Sequence, residues 1–339
     1  MPEIYLPEKI IFERNVLDKF SPEEAERAIL ISDSEILKNC GTLDKILNKS
    51  MRMISQVNLI VNTNVYELYR QAAEIFYSGE IDLIVAIGSS AVIDCGMLLS
   101  HQSRAKFTAI PCCSACSMTD FEADRYHHYR HSPNTVILDP ALTECLPSGM
   151  IAYDAMSSFA YAVDTVASND NIIVRNLAIH GAVEIYRNII PAYRGNITAI
   201  EKLLYAMYFA VAAHRNFAEA GNSYLNRVSS FFSEFGYSKS SVCALVFPNI
   251  AEYDENLFRN GLFETAKAVG IAKDDDDPYY ANTELIDRMR KLQASVGIPR
   301  AVSGFNLTEN AYQSRKIHSN IPDTLLDLCY YGSFKFMKL

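Results

Sequence analysis

The stretch DAMSSFAYAVD, residues 154–164, concentrates side chains that could do chemistry. Ser157 and Tyr161 are four residues apart, so a helix sets them on one face, one turn from each other. Asp154 and Asp164 mark its two ends. The stretch reads either as a reactive helix, as one that once held something reactive, or as plain core. A second concentration is PCCSACS, with Cys112, Cys113 and Cys116. Cys113 and Cys116 have CxxC spacing, but no second pair and no paired histidine stands at zinc-site spacing. Small thiols filling a tight loop account for them better. His127, His128 and His131 in RYHHYRH read as a surface aromatic-basic loop, and His180 and His214 as core or surface residues of helices.

The elements that must position these groups fall into two halves. Up to about residue 147, β-rich runs (28–33, 57–61, 82–88, 107–111, 135–140) alternate with amphipathic helical stretches. One stretch opens at Ser21-Pro22-Glu23-Glu24, a capping box, and another spans 65–79, with Leu68, Ala72 and Ile75 on one face. Such alternation implies a parallel sheet covered by helices, with ligands beyond the carboxyl ends of the strands. After residue 147 helical patterns dominate: 150–168, 172–190, 198–220, 223–235, 240–268 and 282–296. The acidic run 274–278 reads as a solvated loop. The expected architecture is an α/β Rossmann-like nucleotide-binding domain (1–147) and an all-α domain (148–339), with the cleft between them as the default site.

Composition narrows the function. With 339 residues, 49% of them hydrophobic, the chain can fill two cores. A net charge of -9 argues against a broad nucleic-acid or anionic-membrane surface. The N-terminus has no signal-peptide pattern, and the most apolar helical run, 203–213, is too short to span a membrane. The eight cysteines then read as reduced thiols of a cytoplasmic protein. A small-molecule substrate or ligand and a homodimer are the expected partners.

Several segments, in chain order, resemble the iron-containing (group III) alcohol dehydrogenases, whose fold is close to that of dehydroquinate synthase. DLIVAIGSSAVIDCGMLLS (82–100) is similar to the family's Gly-Gly-Gly-Ser-x-x-Asp-x-Ala-Lys turn: Gly88 and Asp94 are kept, Ser89, Ser90 and Ala91 stay small, and Gly96 and Met97 replace Ala-Lys. FTAIPCCSACSMT (107–119) resembles the loop Ile-Pro-Thr-Thr-Ala-Gly-Thr-Gly-Ser-Glu, with Cys112 and Cys113 in place of the threonines. Segments 6–20, 135–147 and 297–309 are similar to the family's opening strand and helix, interdomain segment and a late segment. The resemblance implies dinucleotide binding at Asp33, Gly88, Ser89, Ser90, Asp94, Cys112 and Cys113. The turn's backbone N–H groups and the following helix N-terminus favour a pyrophosphate. An acid at Asp33 would repel a 2′-phosphate, which favours NAD over NADP; a simple turn or cap aspartate is the other reading.

The family's metal is held by an Asp, a His four residues on and two further His. A gapless match puts Ser157, Tyr161, Ser229 and Lys239 at those places. A shifted register offers Asp154 as ligand, with Ser158 at the His place, but leaves Ser229 and Lys239. Neither register predicts a family-type catalytic metal. Three functions stay open. One is a metal-independent NAD(P)-dependent oxidoreductase in which Tyr161, with its pKa of roughly 10 lowered by Lys239, protonates a carbonyl beside Ser157. The second is a catalytically inactive binding or partner protein. The third is an enzyme with a relocated metal.

Overall fold

The computed structural model describes residues 4–19, 25, 27–33, 54–59, 65–78, 81–103, 105–113, 132–216 and 223–333, without the side chains of 33, 54–59, 65–68, 78 and 102. The capping box at Ser21–Glu24, Cys116 and the His127, His128, His131 cluster lie outside the described residues. The chain divides into two units, Met1–Pro147 and Ser148–Leu339.

The first unit is built on six strands: β1 (Lys9–Phe12), β2 (Ala28–Asp33), β3 (Ile54–Leu59), β4 (Leu83–Gly88), β5 (Lys106–Pro111) and β6 (Thr135–Leu138). They form one sheet in the order β1-β6-β5-β4-β2-β3, with every neighbouring pair parallel. β4, LIVAIG, is buried along its whole length, as a strand covered on both faces must be. β3 begins at Ile54, earlier than its apolar run suggests, because Ala28 to Asp33 of β2 pair residue by residue with Ile54 to Leu59. Backbone pairing carries the strand through the polar Ser55 and Gln56, which hydropathy alone does not reveal. Helices α1 (Val65–Ser78), α2 (Ser90–Gln102) and the short α3 (Pro140–Glu144) accompany the sheet. α2 packs on β4 and β5 and buries Val92, Ile93, Met97 and Leu99. From β2 the chain runs outward to β3; from β4 it runs the other way, to β5. The directions part between β2 and β4, which makes the carboxyl ends of those two strands the topological switch point.

The second unit is helical: α4 (Ser148–Ser168), α5 (Ile172–Tyr193), α6 (Ile197–Arg215), α7 (Tyr224–Ser233), α8 (Lys239–Tyr253), α9 (Glu255–Ala268), α10 (Pro278–Ser295), α11 (Glu309–Lys316) and α12 (Asp323–Tyr331). α4 is the central helix, packed by α5, α6, α8 and α9 and buried from Ile151 to Val166 except at Tyr153, the state of a helix apolar on all sides. The single pattern expected over 240–268 is two helices. Asp254 leaves helical geometry (φ −119°, ψ 62°) and caps α9 by accepting Leu257 N–H at 3.1 Å. Pro248 inside α8 cannot donate to Ala244; the buried Gln293 of α10 donates to Ala244 O at 2.7 Å instead. The acidic run 274–277 is exposed, and Asp277 caps α10 with Pro278 at its first position. No helix among the described residues is long and apolar enough to cross a membrane.

Candidate functional site

The carboxyl edge of the sheet gathers the residues expected at a nucleotide. Ser32 pairs with Ile87, so the next step along both strands sets Asp33 level with Gly88, and Gly88 pairs with Pro111. Gly88 has φ +144°, a conformation that side chains with a Cβ rarely adopt. It turns the chain directly into α2. Ser89 is the N-cap of α2, and its hydroxyl makes no capping bond; its carbonyl accepts Val92 N–H and Ile93 N–H, both at 3.1 Å. Ser89 and Ser90 are half-buried. The first turn of a thirteen-residue helix thus opens at the switch point behind a turn of small residues, which favours an anion. Asp94 is buried on the second turn of α2. Cys95 beside it is no nucleophile: burial, and then the charge of Asp94, push its thiol up to about 12.

Cys112 and Cys113 lie just past β5, with thiols 0% and 2% exposed. Both side chains are buried. Cys112 acts through its backbone: its N–H donates to Gly88 O at 3.0 Å and its carbonyl accepts the Thr143 hydroxyl at 2.7 Å.

The helical unit holds the other expected residues. Ser157 and Tyr161 lie on one face of α4, both buried. The Tyr161 hydroxyl sits 3.2 Å from Cys243 Sγ of α8, and its ring stacks on His214 of α6 with centroids 4.5 Å apart. His214 Nδ1 is 3.1 Å from the Thr165 hydroxyl, which donates to Tyr161 O at 2.7 Å. Lys239 and Cys243 are four residues apart on α8, so the buried lysine stands one turn from the cysteine that Tyr161 touches. Ser240 donates to Asp154 Oδ1 at 3.1 Å. His180 is exposed, edge-on to Phe209.

Asp164, one turn beyond Tyr161, is wholly buried. Burial pushes its carboxyl up to about 7; the Ser223 hydroxyl opposes this without reaching hydrogen-bond geometry. The unfolded chain releases this proton near 3.8. Between those values the folded form holds a proton that the unfolded form has lost, so stability falls as pH rises to about 7 and stays reduced above it. Asp164→Asn should therefore raise unfolding free energy at pH 8 by on the order of a few kcal/mol, and little below pH 4. Urea unfolding at the two pH values checks this; an equal gain at both would contradict it.

The four residues that the resemblance sets at the metal-ligand places do not fit a divalent metal. Ser157 donates to Asp154 O at 2.9 Å and Ser229 to Asn226 O at 3.0 Å, each within its own helix. Tyr161 is engaged with Cys243, and Lys239 brings positive charge. Hydroxyls and an ammonium are poor donors for a catalytic transition metal. The shifted register fares no better: Ser158, at the His place, is a buried hydroxyl. Among the described residues no three His, Cys, Asp or Glu side chains converge as a metal site.

No protein-family model matches the chain, and no curated protein matches it by sequence. Solved structures do. An alcohol dehydrogenase from Oenococcus oeni superimposes with a TM-score of 0.79 at 17% identity, covering 97% of this chain and 100% of its own. A 1,3-propanediol oxidoreductase gives 0.76 at 18% identity, covering 94% and 92%. An iron-containing alcohol dehydrogenase from Thermococcus thioreducens gives 0.74 at 16% identity, covering 93% and 90%. The chain has the fold of the iron-containing alcohol dehydrogenases. Gly88, Ser89 and the backbone of Cys112 stand together at the carboxyl edge of the sheet. The iron-containing alcohol dehydrogenase fold is kept here around a centre of α4 that is filled by Tyr161, His214 and Cys243. Cys243 and Thr143 join these contacts without belonging to a sequence motif. The Lys239–Cys243 spacing was a readable signal for the first; nothing local announces the second.

Proposed function

We propose that this protein binds a nicotinamide dinucleotide at the carboxyl edge of its parallel sheet and does not carry out metal-dependent alcohol chemistry. The observation that carries this reading is the Gly88-Ser89-Ser90 turn, which opens α2 beside β2 at the switch point. The N–H groups of that turn and the α2 dipole would take the pyrophosphate. An acid at position 33, where β2 ends, would repel a 2′-phosphate, which favours NAD over NADP. Neighbours of the same fold named alcohol dehydrogenase and 1,3-propanediol oxidoreductase support a redox reading. A thermal-shift screen tests the reading. NADH should raise Tm by several degrees, NADPH less, and Fe²⁺ or Zn²⁺ not at all. A response to metal alone would contradict it.

A second reading is favoured by one contact, Tyr161 on Cys243 one turn from Lys239. The bound nicotinamide would supply the hydride for carbonyl reduction. Tyr161 would donate its phenolic proton to the carbonyl oxygen, with Lys239, one turn from Cys243, as the cation of the group. This reading requires NADH-dependent turnover of aldehydes or ketones by metal-stripped protein, lost in Tyr161→Phe with NADH binding retained.

A further inference from the structure

The turn at Gly88 is held from outside by a chain of hydrogen bonds that ends on a side chain. Gly88 O accepts from Cys112 N–H at 3.0 Å, and Cys112 O accepts from the Thr143 hydroxyl at 2.7 Å. Thr143 is 0% exposed and lies on α3, a five-residue helix too short to persist unaided. α3 is fixed at both ends. Asp139 caps it by accepting Ala141 N–H at 3.0 Å, and Arg14 pairs with Glu144. The chain therefore runs from a pinned helix, through one hydroxyl, to both polar backbone groups of Cys112, and on to the carbonyl of the residue that turns into α2. Among the described residues of the unit, Thr108 and Thr135 sit within paired strands instead.

We infer that Thr143 is the positioning residue of the dinucleotide turn: its hydroxyl fixes Cys112, and through Cys112 the carboxyl ends of β5 and β4, at the spacing that pyrophosphate binding requires. The inference rests on the proposed dinucleotide reading. A site assembled from backbone N–H groups tolerates little displacement, because its donors cannot re-aim independently. Removing the hydroxyl takes one donor from the buried Cys112 carbonyl and loosens its tie to α3.

The test is calorimetric titration of NADH into wild type, Thr143→Val and Thr143→Ser. Valine keeps the shape and loses the hydroxyl; serine keeps the hydroxyl and loses the methyl. Thr143→Val should bind about tenfold more weakly, the scale of one hydrogen bond, and Thr143→Ser should bind as wild type. A loss confined to stability would move Tm in both variants without this split in Kd. Equal Kd in wild type and Thr143→Val, or an equal loss in both variants, would overturn the positioning role while leaving the dinucleotide reading intact. No binding by wild type would overturn both. Hydrogen exchange on wild type works even where the valine variant does not fold: saturating NADH should slow the Cys112 amide, and an unchanged Cys112 amide overturns the role.

Discussion

Asp139→Ala is expected to cost the first unit on the order of 3 kcal/mol or more, enough to unfold a marginal domain. The carboxylate is 2% exposed and accepts three backbone N–H groups. Oδ1 takes Asn15 N–H at 2.8 Å and Ala141 N–H at 3.0 Å, and Oδ2 takes Leu17 N–H at 3.2 Å. One side chain thus joins the turn after β1, where Asn15 adopts φ +58°, to the end of β6 and the start of α3. Alanine strands these donors together, and a charged acceptor contributes more than a neutral one. Asp139→Asn keeps one acceptor oxygen and should fall between. Guanidinium unfolding checks the order; a loss below about 1 kcal/mol for alanine would mean that the three bonds are replaced by water at little cost.

Gly96→Val should destabilise the same unit by about 3 kcal/mol, through overpacking. A Cβ at Gly96 would meet Phe107 Cε2 at 2.5 Å and the Ala86 Cβ at 2.9 Å. α2 lies directly on β4 and β5 there, and a ring wedged between helix and sheet has nowhere to move. Gly96→Ala should show a smaller loss, recovered in part by Phe107→Leu. Thermal unfolding of the single and double variants reads this directly, and full tolerance of valine would show that α2 can lift from the sheet. The same contact accounts for Gly96 where the resembling motif has Ala: Phe107 occupies the space that a methyl group would need.

The legibility of this chain follows from which forces are local. β4 and β5 announce themselves as continuous apolar runs because both faces are buried. Gly88 stands out because the turn at a strand's end is a local requirement. The polar first half of β3 is set by pairing with β2, which lies far off in sequence, and the break at Asp254 depends on one side chain capping its own backbone. In the helical unit, Ser157 and Tyr161 were readable as one face because their spacing is helical. What surrounds Tyr161 was not, since His214 and Cys243 come from α6 and α8 and meet only on packing. The burial of Asp164 is likewise a tertiary fact, hidden in a sequence where an acid every few residues is ordinary.

We propose that a dinucleotide binds this fold without help from a metal. The most direct measurement is calorimetric titration of NADH into protein stripped with a chelator, repeated after adding Fe²⁺ or Zn²⁺. Saturable binding of about one NADH per chain, with the same Kd with and without metal, is the expected result. Absence of binding, or binding that appears only once metal is restored, would contradict it.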